Sequence, residues 1–177
     1  MSAAIADIAM GDARGLTAIV YDEGAVVPDL ARGIARGWAD AGLAACGLVE
    51  TQIPRADRRR CDMLVTELAS GAEIRISHDR GALARGCVLD ADGLLRAAEL
   101  TRAALAEGAQ RAMFNKFGKS EAEGGGLREA IADAIARGVP TIVFVPRRNL
   151  EAWRAFAGDL AVEIEARAFD APPQAAG

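Results

Sequence analysis

LTAIVYDEGAVVPDLARGIARGWADAGLAACGLV, from Leu16 to Val49, is the stretch that decides the fold. It opens on the apolar, β-branched run Leu16 to Tyr21, the pattern of a buried strand. Asp22-Glu23-Gly24 breaks the run. Pro28 then stands near a helix start, and Leu30, Ile34 and Trp38 follow at four-residue spacing, an amphipathic stripe that Gly42 can end. Strand character returns over Ala44 to Val49. Strand, helix, strand within roughly 30 residues is a βαβ unit, and its crossover is expected to be right-handed.

Outward from this unit the alternation continues. Thr51 to Arg60 is polar, holds Pro54 and the arginines Arg55, Arg58, Arg59 and Arg60, and reads as an exposed loop. Met63 to Leu68 and Glu73 to Ser77 flank Ser70-Gly71 as a hairpin that extends or edges the sheet. Asp90 is placed to cap a helix from Ala91 to Glu107 closed by Gly108. Arg111 to Phe114 and Thr141 to Val145 are further strands, separated by a helix from Leu127 to Arg137. A short helix around Leu150 to Phe156 and a strand near Val162 to Ile164 complete the pattern. Such alternation predicts an α/β fold with three layers, a mostly parallel sheet with helices on both faces. The expected organisation is a flexible N-terminal arm over 1–14, one domain over 15–168 and a disordered tail over 169–177.

Composition bounds the function. The chain has 177 residues, 51% hydrophobic and 26% charged, as a folded globular domain should. No apolar run approaches the roughly 20 residues that span a bilayer, and no signal-peptide pattern opens the chain, so membrane insertion is not expected. A net charge of −4 argues against a nucleic-acid partner. Cys46, Cys61 and Cys87 lack metal-ligand spacing and read as reduced thiols of a cytoplasmic protein, with no metal site. Of the 21 basic residues 19 are Arg, yet both lysines, Lys116 and Lys119, fall within four residues of each other.

Those lysines belong to NKFGKSEAEGGGLR, Asn115 to Arg128, which joins a strand end to a helix start. In parallel sheets ligands bind where the carboxyl ends of strands feed loops into helices. Gly124, Gly125 and Gly126 let the backbone turn and approach a ligand, and the unpartnered N–H groups of the next helix favour an anion. Lys116, Lys119 and Arg128 add cationic donors, Asn115 a neutral one, and Arg80 can reach in from across the site. Glu121 and Glu123 oppose a bare anion unless they bind Mg²⁺, pair with the lysines or face solvent. The bland alternative is a flexible loop whose glycines merely turn the chain.

The first strand–helix junction, Tyr21 to Asp29, has no Lys, no second Gly and no Ser or Thr. It therefore lacks the G-x-x-x-x-G-K-[ST] of a Walker A loop, and efficient NTP hydrolysis is not expected. Asn115-Lys116 matches only half of the guanine-reading N-K-x-D, because Gly118 stands where the acid should be. Ser77-His78-Asp79 is no catalytic triad, since neighbours along a strand point to opposite faces and no G-x-S-x-G is present.

IVYDEG, ELASGAEIRISHDRG and the FGKSEAEGGG core together resemble an uncharacterised bacterial domain-of-unknown-function family related to P-loop nucleoside-triphosphatases of the thermophile type. The resemblance covers most of Leu16 to Ile164. It implies a P-loop-NTPase-like fold, here with a degenerate Walker A loop, and a link to molybdenum handling, because genes of that family often lie beside molybdate-transport genes. The motif matches at Asn115, Lys116, Gly118, Lys119, Glu121, Gly124, Gly126 and Arg128.

Three functions stay open at this stage. One is a protein that holds a tetrahedral oxyanion, molybdate, tungstate or phosphate, at the turn from Asn115 to Arg128. Another is a weak NTP-binding protein or NTPase using Mg²⁺. The last is a ligand-free interaction module in molybdenum metabolism. A homodimer through a sheet edge suits the fold class, though no residue specifies it.

Overall fold

The structure, a computed structural model, describes residues 15–22, 27–53, 62–78 and 88–169. The arm over 1–14, the arginines between Arg55 and Arg60, Arg80 and the residues after 169 lie outside the described residues.

Five contiguous parallel strands make up most of a seven-stranded sheet, out to one edge: β1 (Leu16–Tyr21), β2 (Ala45–Ile53), β7 (Arg111–Asn115), β8 (Thr141–Pro146) and β9 (Ala161–Glu165). The hairpin β3 (Asp62–Glu67) and β4 (Glu73–Arg75) adds two antiparallel strands, giving the order β4-β3-β2-β7-β8-β1-β9. The short strands β5 (Ser77–His78) and β6 (Val88–Leu89) pair separately.

Handedness then places the helices. The connections β2 to β7, β7 to β8 and β8 to β9 all move one way across the sheet, whereas β1 to β2 moves the other way. Right-handed crossovers must put α1 (Val27–Asp40) on one face. They put α2 (Ala91–Ala106), α4 (Arg128–Ala136) and α5 (Leu150–Ala157) on the other. The two cores agree. Val27, Ala31, Ile34 and Trp38 of α1 pack on Ile19, Met113, Ile142 and Phe144. Leu94, Ala97, Ile131 and Trp153 pack on Ala18, Phe114, Val143 and Val145. Met113 and Phe114, or Ile142 and Val143, are chain neighbours that alternate between the two faces, as the two-residue period of a strand requires. The three-layer α/β architecture expected from the sequence is the one observed.

Several boundaries differ from expectation. β2 runs on through Ile53, because residues from Leu48 to Ile53 pair with β3 and carry the strand past the polar residue Thr51. The stretch from Asn115 to Arg128 contains a one-turn helix, α3 (Lys119–Ala122), so it is not one open loop. Of the expected tail over 169–177 only Phe169 is described: it ends a final 3₁₀ turn and is buried in the same core cluster as the apolar face of α1. Cys46 is buried, and burial together with the Glu67 charge pushes its thiol up to about 12, so it stays protonated and inert.

Asp90 caps α2 as its sequence position suggests, accepting from the Asp92 and Gly93 N–H groups at 3.1 Å each. The Gly93 N–H is the main reason its carboxyl sits below the ordinary range, with the His78 and Arg96 charges adding to it. A lowered carboxyl contributes stability above the ordinary carboxylate range and loses it as pH falls through the lowered value. Asp90→Ala should therefore lower the melting temperature by a few degrees at neutral pH. Thermal scans should show that difference shrinking in acid.

Candidate functional site

The carboxyl ends of the parallel strands carry two separate charged groups. At the β1, β8 and β9 ends, Arg147 donates from Nε to Asp22 at 2.7 Å and from a terminal nitrogen to Glu165. Hydrogen bonds to these two acids raise its already high pKa further. This exposed triad ties three strand ends together. It leaves Asp22 occupied at the junction where a phosphate loop would start.

The second group lies where β2 meets β7. Phe117 directs it: its ring is fully buried 5.2 Å from Trp153, its N–H donates to the Phe144 carbonyl at 2.9 Å, and Asn149 donates to its carbonyl at 3.0 Å. With residue 117 anchored in the core, Lys116 and Gly118 on either side open onto a cleft of about 130 Å³. Met63, Val65, Ile76 and Leu94 wall it, and Glu50, Asn115, Lys116, Ser120 and Glu121 supply its polar atoms. Lys116 Nζ sits 3.0 Å from Glu50 Oε2 and 3.3 Å from Oε1. The Lys116 side chain is 29% exposed and that of Glu50 only 9%, so the pair is screened far less than a surface pair. Across the sheet, burial and then the Glu50 charge push the Tyr21 phenol well above its ordinary range, against a smaller opposing effect of Arg148.

The glycine turn is built differently from expectation. Glu121, 4% exposed, accepts the Gly118 N–H at 2.8 Å on one oxygen and the Leu127 N–H at 2.9 Å on the other. Gly124 N–H goes to the Glu121 carbonyl and Gly125 N–H to the Ser120 carbonyl. Arg128 donates to the Glu121 carbonyl at 3.2 Å and stacks 4.4 Å over Phe156. Lys119 is 86% exposed and lies 3.7 Å from Glu123. Of the donors expected to hold an anion, the Gly124 and Gly125 N–H groups and Arg128 thus serve main-chain carbonyls, while the Glu121 carboxylate takes the Gly118 and Leu127 N–H groups and caps the start of α4. A φ of +59° at Gly126 belongs to the same arrangement, because a Cβ there would collide with the Glu121 carboxylate. Glu121 faces N–H groups on both oxygens, a setting that does not suit Mg²⁺.

Of the expected site residues, Asn115, Lys116 and Lys119 line the cleft, while Gly124, Gly125, Gly126 and Arg128 stand behind it as its support. His78 is half-exposed, 3.6 Å from Asp90, and Ser77 accepts the Met63 N–H, so neither joins the cleft chemistry. Glu50 was not singled out by sequence reasoning. Its signal was an acid directly after Leu48-Val49, at the carboxyl end of a strand otherwise buried.

A family model described as "Protein of unknown function (DUF2478)" matches residues 16–171. The chain is 34% identical over 162 residues to the "Molybdenum import ATP-binding protein ModC 2" of Bradyrhizobium diazoefficiens. That alignment covers 89% of this chain but 18% of the other, so the chain spans less than a fifth of that relative. No solved structure matches the chain. Among the described residues no helix is long and apolar enough to cross a membrane.

Proposed function

The chain belongs to the DUF2478 family, and from that membership and the cleft at the carboxyl ends of β2 and β7 we propose that it binds a small tetrahedral oxyanion, of the phosphate or molybdate type, at Lys116. The observation that carries this reading is a partly buried ammonium at the carboxyl edge of a parallel sheet, facing a cleft with room for only a few atoms. Pockets for drug-sized ligands run from roughly 300 to 1,000 Å³. A cleft of about 130 Å³ suits an anion instead. Asn115, buried at the base, and Ser120 at the rim can donate beside Lys116. The aliphatic walls keep water away, which strengthens each charged hydrogen bond. In this reading the glycine turn is scaffold: Glu121 sets α3, and α3 sets Ser120.

The named relative favours a second reading, a nucleotide. That protein is called ATP-binding and is named for molybdenum import. A nucleotide at this edge would have to bind without a Walker A loop, because Tyr21 to Asp29 lacks its residues. Calorimetric titration at low salt separates the two. Heat from phosphate, arsenate, molybdate or sulfate supports the oxyanion; heat from ATP with Mg²⁺ alone supports the nucleotide. No heat from any anion ends both.

Lys116→Met should weaken oxyanion binding by about 10- to 100-fold, the worth of a charged hydrogen bond. Lys119→Met should change it less than about twofold, because an exposed ammonium is well screened. Equal losses in the two variants would contradict the assignment.

A further inference from the structure

Resting on the reading that Lys116 holds an oxyanion, we infer that Glu50 makes the cleft selective for an oxyanion that still carries a proton, such as hydrogen phosphate or its arsenate analogue. Molybdate, tungstate and sulfate, fully deprotonated near neutral pH, are the anions it disfavours.

Glu50 lies in β2 two residues beyond Leu48, which pairs with Phe114 of β7, so its side chain reaches the same edge as Lys116. It lines the cleft beside Asn115 and Ser120, and its residue is 7% exposed. An ionised carboxylate only accepts hydrogen bonds, whereas an ammonium only donates them, with three N–H groups. Glu50 contacts engage one side of the Lys116 ammonium, at 3.0 and 3.3 Å. A ligand seated against both groups therefore meets a donor and an acceptor a few ångströms apart.

An anion with one O–H group satisfies both. Its bare oxygens accept from Lys116, and its hydroxyl donates to Glu50 in a short charge-assisted bond. An anion without a proton sets an oxygen lone pair against the carboxylate. Between aliphatic walls that repulsion is screened less than in water. Sites built to pair a ligand hydroxyl reject analogues that lack it, because the buried partner is left facing the wrong group.

Phosphate and sulfate match in shape and differ in the proton, so they are the probes. Each is titrated at neutral pH and low salt into the wild-type chain and into Glu50→Gln, with molybdate as a third ligand. The wild type should prefer phosphate over sulfate at least about tenfold. In Glu50→Gln the amide can donate to sulfate, and the preference should fall towards unity. A merely structural role of Glu50 would weaken both anions together and leave the ratio intact, which would overturn the inference. Wild-type binding of sulfate or molybdate as tight as phosphate would also overturn it while sparing the oxyanion site. Binding of none of them would overturn both. If Glu50→Gln does not fold, the wild-type ratio alone decides.

Discussion

Glu121→Ala is expected to cost about 3–5 kcal/mol of folding stability, because it strands two buried N–H groups at once. Those of Gly118 and Leu127 now point at separate oxygens of one carboxylate, 2.8 and 2.9 Å away. Each buried donor left unpaired costs about 1–3 kcal/mol. The loss extends beyond the two bonds, since the Glu121 carboxylate is the link that joins the start of α3 to the start of α4. Glu121→Gln retains one acceptor and should cost about half as much. Urea unfolding followed by circular dichroism reads both as shifts in midpoint with the slope unchanged. A residue whose purpose was to bind a ligand or Mg²⁺ would behave in the opposite way, with affinity lost and stability kept or raised. That outcome would return the glycine turn to the role its sequence suggests.

Gly47→Ala should be the most damaging change in the sheet, above about 4 kcal/mol, and a chain carrying it should fail to accumulate as folded protein. Gly47 has φ +109° in the middle of β2, and a Cβ there would overlap the Met113 carbonyl oxygen and lie 2.8 Å from the Met113 nitrogen and carbonyl carbon. Those are backbone atoms of the paired strand β7, so no side chain can swing aside. Cys46 and Leu48 on either side are fully buried, which prevents the strand from backing away. Glu67 fixes the same point by accepting the Gly47 N–H at 3.2 Å. Gly33→Ala is the matched control: Gly33 sits in α1 with nothing within 4 Å of its added Cβ. It should be neutral or stabilising by up to about 1 kcal/mol, from helix propensity alone. Equal effects of the two would show that the close approach of β2 and β7 is wrong.

The layered architecture was readable in the chain because its signals are local. Leu16 to Tyr21 and Thr141 to Val145 are short apolar, β-branched runs, α1 carries a four-residue stripe ending at Trp38, and Gly42, Gly108 and Gly138 close helices where expected. The opposite placement of α1 and the other helices also follows from handedness once the strand order is known. The site was less legible. Three glycines beside two lysines look alike whether a ligand or the protein provides the negative charge. What distinguishes the cases is the side-chain direction of Glu121, which depends on Phe117 being drawn into the core by Trp153 and Phe156. Lys116 finds its partner in Glu50, 66 positions earlier, and no spacing rule links residues that far apart. Lys119 and Glu123 did pair as their four-residue spacing allows.

The most direct measurement is the anomalous difference density of arsenic in a crystal of the chain soaked with arsenate. The peak should lie in the cleft at the carboxyl ends of β2 and β7, within hydrogen-bonding reach of Lys116 Nζ and beside the Glu50 carboxylate. A peak cradled by Gly124 to Gly126 with Glu121 displaced, or no ordered arsenic in the cleft at saturating arsenate, would contradict it.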